Sequence, residues 1–172
     1  MNIIHRCWVW LWRINRCLGF GIQSPRDYDF VRGVVNERWP YYAYQNIKTD
    51  SWWQRKMGRL CLRLANWRRP VMMEHDDYEA WWKAGCKDIC WVERGKLEHV
   101  ELARRDISDD WDSIARKCDN KSVVVVEHLW RDWQQWHRIE QDSRVGTTFD
   151  LYYCGIVLFD KERFAHHYKV NF

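Results

Sequence analysis

Four consecutive valines constrain this chain more than any other feature. Ser122-Val123-Val124-Val125-Val126-Glu127 is a continuous β-branched run. Branching at Cβ favours extended backbone. A strand wet on one face would alternate apolar and polar residues. An unbroken run instead predicts a central strand covered on both faces. Helices on each side of a sheet are the usual cover, so the run points to a three-layer α/β domain.

The surrounding pattern agrees with that reading. After Pro70, short strands and helices alternate. Val71 to Glu74 reads as a strand, Asp77 to Ala84 as a helix stopped by Gly85, and Asp88 to Glu93 as a second strand. Leu97 to Ala103 offers a third strand, and Ser108 to Lys117 a helix with Ser108 as its cap. Leu129 to Gln141 reads as a helix with Trp130, Trp133, Trp136 and His137 sharing a face. Thr147 to Tyr153 and Gly155 to Phe159 form strands about a Cys154-Gly155 junction, and Tyr168 to Phe172 forms the last.

Upstream the chain is helical. Ile3 to Leu18 reads as a basic, Trp-rich helix broken by Gly19-Phe20-Gly21. Ser24 then caps a helix over Arg26 to Glu37, with Pro25 at its first position. That helix stops before Trp39-Pro40, and Ser51 to Trp67 is the next. Residues 1–67 are therefore expected as an N-terminal helical extension and residues 68–172 as the α/β domain, together one compact unit.

Composition sets bounds on function. A chain of 172 residues with 47% hydrophobic and 30% charged residues suits a globular domain. The net charge of +4 comes from basic residues scattered among nearly as many acids, and nucleic-acid binding is not expected from that pattern. Seven cysteines, odd in number and widely spread, suggest reduced thiols. The apolar run from Cys7 to Leu11 is too short to cross a bilayer, and no small-residue cleavage site follows it. A cytoplasmic location is the expectation.

At both ends the residues carry a family likeness. Gly19-Phe20-Gly21-Ile22-Gln23-Ser24-Pro25, Tyr28-Asp29-Phe30-Val31 and Pro40-Tyr41-Tyr42-Ala43-Tyr44 resemble the N-terminal signature of a class I S-adenosylmethionine-dependent methyltransferase family common in Bacteroidetes. The usual form reads G-x-H-S-P-F-x-Y-D-F; Gln23 and Arg26 replace its histidine and first phenylalanine. Asn120 to Glu127, on through Trp136, resembles the family's fifth strand and following helix. Phe149 to Phe159 resembles its closing hairpin. The resemblance implies a Rossmann-like methyltransferase sheet, shortened here, with a C-terminal β-hairpin and S-adenosylmethionine at the carboxyl ends of its first strands.

Between those blocks the likeness breaks down. The family carries a glycine-rich turn after its first strand, because only backbone without side chains lets the cofactor approach. Here Glu74 runs into His75-Asp76-Asp77-Tyr78-Glu79, and no glycine occurs before Gly85. By the resemblance, Glu74 stands for the first cofactor acid and Glu93 for the ribose-binding acid. The family's acidic pair after strand five has become Glu127-His128, which could also form a carboxylate–imidazole general base. The middle is short by about one strand–helix unit.

Other clusters carry less. Cys86 and Cys90 are spaced more loosely than structural zinc pairs, and His75 and His99 lie apart from them. Asp76-Asp77 reads as helix-capping acids, and His166-His167 points to opposite sides of a strand. No metal site is expected.

The expectation is a degenerate methyltransferase-like protein without cofactor, acting through contacts with a protein partner or a second copy. Trp8, Leu11 and Trp12 are the candidate interface. One alternative is a small-molecule methyltransferase using S-adenosylmethionine bound by Glu74 and Glu93, with Glu127 and His128 catalytic. Another is attachment to a membrane surface through Trp8, Trp10 and Trp12 flanked by arginines.

Overall fold

A computed structural model describes residues 3–49, 51–162 and 165–172. The N-terminal part contains α1 (Ile3–Trp12), α2 (Pro25–Phe30), α3 (Ala43–Asn46) and α4 (Trp52–Arg68). Then come β1 (Met72–Glu74), α5 (Glu79–Gly85), β2 (Cys90–Val92), β3 (Val100–Asp106) and α6 (Trp111–Ala115). The chain closes with β4 (Cys118–Glu127), α7 (Trp133–Glu140), β5 (Thr147–Asp150), β6 (Cys154–Leu158) and β7 (His166–Lys169). It is a mixed α/β protein with two sheets.

The valine run lies in β4, second in a five-stranded sheet ordered β3-β4-β6-β5-β7. β3 runs parallel to β4, whereas β6 runs antiparallel to it. β5 and β6 form the expected C-terminal hairpin, and β7 joins β5 in parallel. β1 and β2 pair in parallel as a smaller sheet beside β3. The Val71 amide donates to Glu101 across 2.6 Å, between the neighbouring strands.

Helices cover both faces of the large sheet. Val123 and Val125 point with Leu102, Phe149 and Ile156 into a cluster containing Phe30, Leu60, Leu64 and Trp82. Val124 and Val126 point the other way, onto Trp111, Ile114, Trp136 and Ile139. Each buried valine contributes about 1.5–3 kcal/mol. Residues on both sides of position 67 share the first cluster, so the helical extension and the sheet have a common core.

Both serines expected near helix starts in the N-terminal part cap by side-chain acceptance. Ser24 Oγ takes the Asp27 amide, and Ser51 and Gln54 form a reciprocal capping box. Elsewhere the helices depart from expectation. The segment from Ile3 to Leu18 is not continuous: α1 ends at Trp12, a 3₁₀ stretch follows, and Leu18 sits at φ 55°. Arg13 explains the interruption. Its buried guanidinium turns onto Asp150, with Nη2 2.8 Å from Oδ2 and Nη1 2.9 Å from the Asp150 carbonyl.

The helix expected over Arg26 to Glu37 stops at Phe30 and widens into a π-turn over Val31–Val35. Arg63 from α4 satisfies the carbonyls this leaves, donating to Val34 at 2.6 Å and Val35 at 2.8 Å. Ser108 is not a helix cap; it donates to Asp106, and Asp110 caps α6. The helix expected over Leu129 to Gln141 breaks at Asp132, which caps α7. Trp130, Trp133, Trp136 and His137 consequently do not share a face: Trp136 is buried, whereas Trp130 and His137 meet solvent. Among the described residues, no helix is long and apolar enough to cross a membrane.

Candidate functional site

The parallel strands β1, β3 and β4 deliver charged residues near their carboxyl ends, where ligands bind in open α/β sheets. β1 ends on Glu74, β3 on Arg104-Arg105-Asp106 and β4 on Glu127. Successive strand residues point to opposite faces, so Arg104 and Arg105 serve different partners. Arg105 pairs with buried Glu74, whose Oε1 accepts the Gly95 amide at 2.9 Å. Arg104 pairs with Glu127 and reaches Asp76 Oδ2 at 3.0 Å.

Around Arg104 the space is filled. Its guanidinium carbon lies 4.8 Å from the centroid of the buried Tyr78 ring. Asp76 Oδ1 accepts the Tyr78 amide at 2.7 Å and the Trp82 indole N–H at 3.0 Å. Trp81 and Trp82 are both buried beneath. In this turn Asp76 takes up the donors and the two indoles pack in the core. Trp81 fits only because Gly58 of α4 lacks a side chain; a methyl there would stand 2.3 Å from its ring.

Electrostatics fixes the charge states. Burial works against the Arg104 charge, but Glu127 and Asp76 outweigh it and hold its pKa above the ordinary value. Burial, reinforced by Glu127, pushes the Tyr78 hydroxyl well above its usual range. The fully buried thiols of Cys61 and Cys154 are pushed up by burial in the same way and stay protonated. Oε1 of Glu127 has no hydrogen-bond partner among the described residues.

The sequence-derived candidates separate here. Glu74 and Glu127 reach neighbouring strand ends, each bound to an arginine. Glu93 does not join them; its side chain is 74% exposed and pairs with Lys96. Glu127 and His128 do not act as a pair, because His128 turns to φ 61° and its Nδ1 meets Asp106. Asp106 also accepts the amide and hydroxyl of Ser108, leaving its carboxylate heavily engaged. Burial alone would raise the Asp106 pKa, but those donors and His128 pull it down to about 2.

The remaining groove beside Glu74 measures ≈210 Å³, below the roughly 300–1,000 Å³ typical of organic-ligand pockets. Among the described residues, no three His, Cys, Asp or Glu side chains converge as metal ligands. Cys90 is exposed on β2 rather than buried, and all seven cysteines are free. His166 and His167 are both exposed, with His167 Nδ1 3.0 Å from Thr148 Oγ1.

The inward residue of α1 is Val9, and Arg13 just after the helix is equally buried, each 4% exposed. Trp8, Leu11 and Trp12 face outward at 56%, 58% and 64% exposure. The rings of Trp8 and Trp12 stack at 5.7 Å, giving a continuous apolar strip. The sequence alone does not single out Arg104, Arg105 and Asp106. Their signal was the charged triplet after an apolar strand pattern, which an early strand end at Ala103 hides.

Fold and site define a mixed α/β protein with an ion-paired cluster at its strand ends. The chain matches no protein-family model, and no curated protein or solved structure is significantly similar to it.

Proposed function

We propose that this chain is a shortened, Rossmann-like relative of the class I methyltransferases that no longer takes S-adenosylmethionine and acts through protein contacts. The observation that carries the reading is Arg104, bound to Asp76 and Glu127 over the Tyr78 ring. These groups occupy the strand-end region where the resemblance puts the cofactor. The β5–β6 hairpin beside the valine strand, and the family-like segment from Gly19 to Tyr44, support the ancestry.

A buried ion-paired cluster is a poor starting point for binding a neutral adenosine. Opening it would separate Arg104 from two carboxylates, and leaving buried charges unpaired costs several kcal/mol, on the order of 3–5. Function then falls to the surface. Trp8, Leu11 and Trp12 belong to the exposed apolar surface of α1, and such patches mark interaction sites. A second copy of the chain is the proposed partner.

Light scattering tests the assembly. The full chain is expected above monomer mass, and replacing Trp8, Leu11 and Trp12 together by serine is expected to return it to monomer with the fold intact. A monomer at every concentration, or an unchanged mass in the triple variant, removes α1 from the role. Thermal unfolding with millimolar S-adenosylmethionine tests the other half, since a ligand that binds only the folded state raises the midpoint. No shift is expected; a rise of several degrees favours the enzyme reading.

A further inference from the structure

Two depressions meet where α1, the start of α4 and the β5–β6 turn come together. One is an apolar groove of ≈490 Å³ lined by Val9, Trp52, Leu151, Tyr153 and Phe172 among others. The other is a cleft of ≈390 Å³ carrying Arg38, Arg55, Lys56, Arg59 and Arg63 against the single acid Glu37. Trp52, Lys56 and Phe172 line both, so the two are adjacent and share a wall. Neither includes the Arg104 cluster.

We propose that groove and cleft form one binding site for a single-chain amphiphile with a phosphate head. The alkyl chain lies in the apolar groove and the phosphate sits in the basic cleft. Charge complementarity carries the assignment. Glu37, which accepts the Tyr41 hydroxyl at 2.9 Å and 3.0 Å, is one acid against five cations. Arg63 spends its donors on Val34, Val35 and Tyr44. Lys56 meets aromatic faces, with Nζ 4.4 Å from the Phe172 ring and 5.0 Å from Trp52.

Unspent polar groups surround the same space. Among the described residues, Arg59 Nε and Asn36 Nδ2 beside the cleft, and Arg6 Nε and the Tyr153 hydroxyl beside the groove, are buried without a hydrogen-bond partner, while the Arg6 and Arg59 guanidiniums stack on Trp52 and Tyr44 at 3.6 Å and 4.6 Å. A phosphate monoester carries the acceptor oxygens and the charge that arginine and lysine recognise. A free phosphate would leave the groove unused, and an uncharged lipid would leave the cleft unused.

Lys56 supplies an independent signature. Burial, with Arg6 of α1 and Arg63 of α4 adding to it, lowers its pKa to about 8. An anion placed beside it restores the charged form. Binding at pH 8 is therefore accompanied by proton uptake, on the order of half a proton.

The test is calorimetry with dodecyl phosphate below its micelle-forming concentration, in two buffers of different ionisation enthalpy. Saturable micromolar binding with proton uptake is expected. Dodecanol and inorganic phosphate are expected to bind at least about tenfold more weakly, because each satisfies half the site. Lys56→Met and Arg59→Met are each expected to weaken dodecyl phosphate about tenfold with unchanged thermal midpoints, and Lys56→Met to abolish the uptake. Should a variant fail to fold, the comparison of the three probes on the unaltered protein still decides. Equal affinity for dodecanol, unaltered binding in both variants, or binding to phosphatidic acid vesicles without binding to the monomeric amphiphile each overturns the proposal.

Discussion

Nε of Arg104 donates to Oδ2 of Asp76 across 3.0 Å, tying the turn after β1 to the interior of β3. The same guanidinium pairs with Glu127 at the end of β4. One side chain thus joins three segments: the turn after β1, the interior of β3 and the end of β4. The side chains of Arg104, Asp76 and Glu127 are only 15%, 14% and 3% exposed, so solvent screens the pair weakly.

Removing one partner of such a cluster is worse than never having had it. Arg104→Met leaves Glu127 and Asp76 buried without a cation, and a loss of about 3–5 kcal/mol in unfolding free energy is expected. Adding Glu127→Leu to that variant is expected to recover part of the loss, since the most buried charge goes too. Urea unfolding of both variants reads this directly. A loss under about 1 kcal/mol for Arg104→Met would show that the ion pairs are surface-like.

Packing makes a second, unrelated demand. Gly155 of β6 lies under Trp136 of α7, and a methyl at that position would stand 2.2 Å from Trp136 Cη2. Gly155→Ala is expected to destabilise by about 1–3 kcal/mol through overpacking. Trp136→Leu should relieve the clash, so the double variant is expected to lose less than the sum of the singles. Thermal denaturation checks the coupling; strict additivity would mean the indole does not rest on the glycine.

Acid sensitivity should centre on Asp142. Hydrogen bonds from Arg144, joined by the Trp111 indole at 2.8 Å, hold its carboxyl down to about 2. Its unfolded value is near 3.9. A depressed folded pKa favours the folded state above the unfolded pKa, and that contribution disappears as pH falls from about 4 towards 2. Asp142→Asn is expected to flatten the melting midpoint over that window. An undiminished slope would assign the acid transition to other carboxylates, Asp106 first.

What could be read from the sequence depended on locality. The valine run announces β4 and its two covered faces because side-chain alternation is built into a strand. Ser24 is legible as a cap because its acceptor lies three residues from the amide it takes. The kink after Trp12 is not, since Arg13 leaves the helix for an aspartate 137 residues away. Neither is the widened turn at Val31–Val35, which Arg63 holds from another helix.

The candidate site divides in the same manner. Glu74 and Glu127 are visible as acids ending strands. Their partners Arg104 and Arg105 are visible only once β3 is known to run to Asp106. Glu93 fails because β2 stops at Val92, leaving the acid in the turn that follows. His128 fails as a partner of Glu127 because a left-handed residue ends the strand and sends its ring to Asp106.

The most direct measurement of whether the cofactor site has been given over to the Arg104 cluster is calorimetric titration with S-adenosylmethionine and S-adenosylhomocysteine. No saturable heat is the predicted result for either ligand up to millimolar concentration. Micromolar binding that is lost on Glu74→Ala or Glu93→Ala would contradict it and make the chain a cofactor-dependent enzyme.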